Sequence, residues 1–348
     1  MVTEHATVTF YKINKCGFYR YGEDNVAFGS TKIMLSDLAN WAKGKTLKQT
    51  KNFIGNDDVL PAYLIDSRQS GDNFLVVLWN EVPSSDGKVP SVSENTRFGS
   101  LAKAILNDIE KGSIPGFATY FWFIPSMNLV ATIKLKHAFT GQKSMQLYLK
   151  TFLKQSCSYV VSDIVENDEG KHDVVIKGYS SVQYGKELTK KKHYPYFETG
   201  IIKNPGKHDI IKQNYNNISK IEKIIELDVA NKEHMDIWQK LLVFTNISKR
   251  QNADVSTKIR YELSPDVSLK DVKSMIADWN ENGVNDGCDY GFTFKGSSKV
   301  YWLSRSLARV SDFAFNIERN DEEFIEPNSL LKELVGKRRV LLNEAGLL

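Results

Sequence analysis

Cysteine is scarce in this chain. Cys16, Cys157 and Cys288 are its three cysteines, more than a hundred residues apart and with no CxxC pair. That spacing excludes a disulfide framework and a cysteine-built zinc site, and fits reduced thiols in a cytoplasmic protein. Long apolar runs are missing too. The longest, FLVVLW at 74–79 and YFWFI at 120–124, are strand-sized, well short of the roughly 18 residues a membrane span needs. The opening MVTEHATVTFYKI has no basic region followed by an apolar run, so no secretory signal is read there. These absences lead us to expect a soluble, cytoplasmic protein with no direct membrane insertion. With 9 prolines, 22 glycines, 41% hydrophobic and 25% charged residues, the composition is that of a globular chain.

Catalytic signatures are also absent. GKT at 44–46 has Ala39 where a phosphate loop needs glycine, and GQKS at 141–144 splits glycine from lysine, leaving only a generic anion site at a helix start. There is no GxSxG elbow and no HExxH. The six histidines are scattered; His172–Asp173 and His208–Asp209 are possible metal contacts but read more simply as solvated surface. Pro265, Asp266, Asp271 and Lys273 spell the letters of a restriction-type nuclease. Only four residues separate the two aspartates, however, and SPDVSLKD reads as a helix start capped by Ser264 or Asp266. No catalytic residue, metal ligand or cofactor is assigned.

What is present reads as α+β: two domains, each a mixed sheet with hairpins packed by helices, divided at residue 157 into 1–157 and 158–348. TVTFYKI at 7–13 is a strand, and Met34, Leu35, Leu38 and Trp41 recur at helical spacing. Hairpins are expected around SRQSGDN and around Pro125–Asn128, and helices over FGSLAKAILNDIEKG and GQKSMQLYLKTFLKQ. Beyond 157, SYVVSDIV, HDVVIKGY and YPYFETGII read as strands and ISKIEKIIELDVANKEHMDIWQKLLVF as a helix. STKIRYEL, SLKDVKSMIADWNENG and YGFTFKG then read as strand, helix and strand, with a last helix from about Ser329.

Charge is distributed unevenly. Residues 171–223 hold eleven lysines against five acids, a local +6 in a chain of net +4. Concentrated positive charge draws polyanions by counterion release. The contact residues this suggests are Lys186, Lys190, Lys191, Lys192, His193, Lys203, Lys207 and Lys212, with Lys134 and Lys136 on the earlier hairpin, and Lys143 and Lys150 close by. The competing reading is a solvated lysine face that also guards a sheet edge. In YPYF, Tyr194 and Tyr196 share one strand face and Phe197 takes the other.

The order hairpin then helix in FATYFWFIPSMNLVATIKLKHAFTGQKSMQLYLKTFL, with KIRYEL, YGFTFKG and SRSLARV later, resembles the DNA-binding sensor subunit of the phage lambda Rex exclusion system. The resemblance is one of pattern and transfers no residue. It implies a cytoplasmic homodimer that binds double-stranded DNA without sequence preference, acts in antiviral defence by phage exclusion, and has a membrane effector protein as partner. A metal-dependent nuclease and a scaffold that binds an acidic partner remain the alternatives at this level.

Overall fold

The structure is a computed structural model that describes residues 1–53, 59, 61–82, 90–100, 112–135, 140–166, 172–181, 192–203, 206–227, 257–263, 267–283, 288–297, 299–321 and 323–348. It is α+β. Its spine is β1 (Val2–Arg20), far longer than the strand expected at 7–13. Along one edge β1 pairs first with β15 (Arg309–Ile317) and then with β10 (His193–Ile201); along the other it pairs with β7 (Leu129–Lys134). Beyond β7 come β6 (Ser113–Ile124), β4 (Asn73–Glu81) and β3 (Ala62–Ser70), with β2 (Val26–Phe28) on the end of β1 and β5 (Ser91–Ser93) on β6. The described pairings are all antiparallel.

Helices cover both faces of this sheet. Helices α1 (Thr31–Ala42) and α2 (Gln142–Gln155) lie on one, and α5 (Pro327–Gly336) and α6 (Arg338–Glu344) on the other. In β4, Leu75, Val77 and Trp79 enter the α5/α6 core while Phe74, Val76 and Leu78 enter the α1/α2 core; β6 divides the same way. Two-sided burial is why these strands read as unbroken apolar runs rather than alternating ones. The buried indoles stay satisfied: Trp79 Nε1 donates to the Ile114 carbonyl at 3.0 Å and Trp122 Nε1 to Asn73 Oδ1 at 3.2 Å.

In β1 the alternation reverses part-way. Ala6, Val8 and Phe10 face α5/α6, and Tyr11 and Ile13 face α1/α2. A bulge between Ile13 and Lys15 then resets the count, so that Cys16 and Phe18 remain on the α1/α2 side. Lys15, Gly17 and Tyr19 therefore point away from that core.

A second sheet, in the order β12-β11-β13-β14, is formed by β11 (Ile218–Leu227), β12 (Thr257–Leu263), β13 (Cys288–Phe294) and β14 (Val300–Trp302). It packs with α3 (Gly206–Gln213) and α4 (Leu269–Asp278) around Ile221, Val272, Ile276, Trp279 and Phe292. The module is inserted between β10 and β15, closed at its neck by the Lys203–Leu307 bridge and by Ala308 N donating to Ile202 O at 2.9 Å. A division at residue 157 would set β10 and β15 apart from β1, yet both pair with it.

Three local expectations need correction or placing. Residues 218–227, read as helix, form β11: a bulge between Ile218 and Lys220 lets Ile218 and Ile221, three apart, both face the core, which imitates helical spacing. The rest of that predicted helix lies outside the described residues, as do 101–111 of the helix expected at FGSLAKAILNDIEKG. The cap of α4 is Ser268, not Ser264 or Asp266, which also fall outside them. Ser268 Oγ accepts from Asp271 N, while the Asp271 carboxylate accepts from Ser268 N at 2.8 Å. Asp271, one of the nuclease letters, is thus occupied in capping.

Candidate nucleic-acid interface

Strand β10 begins directly after the run Lys190, Lys191 and Lys192. Lys192 is exposed just before it, and Phe197 is fully buried 6.4 Å from Phe123. Pro195 is tolerated because β10 pairs with β1 on one side only. The outer edge meets α2, where Thr199 N donates to Gln146 Oε1 at 2.8 Å. At Thr199 the edge of β10 is thus covered by α2.

The residues that flank the lysines between β9 and β10 meet at the same place. The chain leaves the hairpin of β8 (Val160–Glu166) and β9 (His172–Tyr179), and the Tyr179 ring lies 4.8 Å from Phe18. His193, the first residue of β10, lies 5.0 Å from Phe28, which itself stacks on Phe18 at 4.8 Å. Both flanks of these lysines are therefore held by one aromatic cluster at the end of β1. Gly17 permits this close approach: its φ is +122°, and a Cβ there would meet the Phe28 carbonyl at 2.7 Å.

Opposite that cluster is a face that the register of β1 and β10 assembles. Gly17 pairs with Tyr196, Tyr19 with Tyr194, and Lys15 with Glu198. Tyr19 and Tyr196 meet edge-to-face at 5.6 Å, with Lys15 Nζ 5.5 Å from each ring and Lys150 Nζ, from α2, 5.8 Å from Tyr196. Further out, Tyr21 is 89% exposed and Tyr194 40% exposed, their ring centroids 6.3 Å apart. Acids are present as well. Lys15 pairs with Asp24 at 2.9 Å, a hydrogen bond that raises the lysine pKa and keeps its charge in place. Among the described residues no carboxylate lies within ion-pair distance of Lys150 or Lys192.

The predicted contact residues do not form one patch. Lys186, Lys190, Lys191 and Lys136 lie outside the described residues. Lys192 is exposed immediately before β10, whereas His193 is turned inward and buried. Lys203 sits at the neck of the second module, donating to Asn280 Oδ1 at 2.6 Å beside Trp279, and burial lowers its pKa. Lys207 is carried on α3, and Lys212, also on α3, pairs with Asp209 at 3.2 Å. Lys134 lies opposite Thr7, thirteen residues along β1 from Arg20, roughly 40 Å away at strand rise. Lys15, Tyr19 and Tyr21 were missed, although NKCGFYRY interleaves cations with aromatics; their strand partners are about 175 residues distant in sequence.

One pairing has the look of catalysis. Ser306 Oγ lies 2.7 Å from His208 Nε2, the geometry of a nucleophile and its base. Both are buried, Ser306 Oγ donates to the Leu303 carbonyl at 2.7 Å, and the Trp279 ring stands edge-on to His208 at 5.6 Å. With the hydroxyl proton on a carbonyl and both side chains buried, the pair fastens α3 to the 303–306 turn. Among the described residues no three His, Cys, Asp or Glu side chains group as a metal site, and no helix is long and apolar enough to cross a membrane. Comparison with protein-family models, with curated proteins and with solved structures returns no match.

Proposed function

We propose that this chain binds DNA without sequence preference, through the end of the sheet where β1 meets β10. The observation that supports this is the shared anchorage of the two residues that flank Lys186, Lys190 and Lys191 in sequence: Tyr179 and His193 both pack on the Phe18–Phe28 stack, next to exposed Lys192. Lys186, Lys190 and Lys191 fall in sequence between these two anchored residues. Their charge acts on phosphate oxygens, which carry no sequence information. Duplex DNA and a role in phage exclusion come from the pattern resemblance alone.

A gel shift with mixed-sequence duplex DNA, with and without magnesium, tests the reading. Neutralising four to six phosphates gives a log–log salt slope of about −4 to −5. Changing Lys190, Lys191 and Lys192 together to glutamate abolishes the shift, with circular dichroism and a thermal melt checking that the fold is kept. A slope near zero removes the proposal, and magnesium-dependent cleavage replaces it with the nuclease alternative.

A further inference from the structure

We infer that Tyr21 and Tyr194 form a stacking site for unpaired bases, so that the preferred ligand of the β1–β10 face is single-stranded nucleic acid rather than duplex. This rests on the DNA-binding reading and adds the ligand class to it. Along the face the tyrosines are graded. Tyr19 is only 5% exposed, held against Tyr196 and Lys15, while Tyr21 and Tyr194 at the outer end are 89% and 40% exposed. Tyr21 directly follows Arg20, the last paired residue of β1, and Tyr194 of β10 is paired with Tyr19, so both sit at the end of the paired strands.

The ring planes of Tyr21 and Tyr194 are inclined at 61°. Meeting edge-to-face, each ring keeps at least one face that the other does not cover. A base stacks on such a face whatever its identity, and a duplex keeps its base faces inside the helix, so this contact is available to single strands alone. Lysine placement fits the same ligand: Lys192 precedes β10 on the exposed side and Lys150 reaches Tyr196 from α2. Because Asp24 and Glu198 also lie here, the face is not a bare cation surface, and stacking supplies the part of the affinity that charge does not.

The test is paired titration of the full chain with an oligothymidylate of about 16 nucleotides and a mixed-sequence duplex of equal length. Stacking is worth about 1–3 kcal/mol per base, so Tyr21→Ala and Tyr194→Ala each weaken oligothymidylate binding by about 5- to 150-fold and leave the duplex affinity unchanged. Tyr21→Phe, which keeps the ring, binds like wild type, and the tyrosine-dependent loss is the same at low and high salt. Equal losses on both ligands, or no loss on either, overturn the stacking site while leaving DNA binding standing. A wild-type chain that binds neither ligand at about 50–100 mM salt overturns the DNA-binding reading itself.

Discussion

Replacing Phe197 by alanine, beside the same change at Tyr194, separates the two jobs that β10 performs. Phe197 is fully buried against Phe123 in the core shared with α1 and α2, whereas Tyr194, three residues earlier, is 40% exposed. A fully buried aromatic removes about 150–250 Å² from water, and at about 25 cal/mol per Å² its burial contributes roughly 4–6 kcal/mol. Alanine keeps a little of that area and the core relaxes slightly, so Phe197→Ala costs about 3–5 kcal/mol. Tyr194→Ala removes a ring with little surrounding protein and costs under about 1 kcal/mol. Equilibrium urea unfolding followed by tryptophan fluorescence reads both as midpoint shifts at unchanged slope. A Phe197→Ala loss below about 1 kcal/mol, or a Tyr194→Ala loss as large as that of Phe197→Ala, refutes the assignment of inward and outward faces on β10.

Two more outcomes follow from particular contacts. Burial holds the His208 pKa below the ordinary 6.5, so the unfolded chain takes up a proton more readily than the folded one. The stability linked to His208 is complete above pH 6.5 and declines as pH falls below it towards the folded value; urea melts at stepped pH show that decline in wild type and a flatter profile in His208→Asn, and identical profiles would show that His208 is not the group responsible. Gly116 lies opposite Glu81 where β6 pairs with β4, and a Cβ there would come within 2.0 Å of the Asn80 carbonyl oxygen. Gly116→Ala must push the two strands apart and lowers the thermal midpoint, and an unchanged midpoint would mean that the strands already stand further apart.

Short-range pattern was enough to place most elements. The two hairpins around SRQSGDN and Pro125–Asn128 and the helix that follows the second depend on turn residues and apolar spacing within a few positions, and they fold as read. So does the division of YPYF, because strand alternation is a property of the backbone itself. Where a bulge alters the period, local pattern misleads: Ile218 and Ile221 look helical, and Cys16 and Phe18 would be placed on the wrong face without the bulge between Ile13 and Lys15. Charge concentration too is a sum over sequence and was visible from it. Which charges stand together was not, since Lys134 and Lys192 fall at opposite ends of one long strand. The face that joins Lys15, Tyr19 and Tyr21 to Tyr194 and Tyr196 exists only because β1 pairs with a strand about 175 residues later, a long-range register selected by which side chains must be buried behind it.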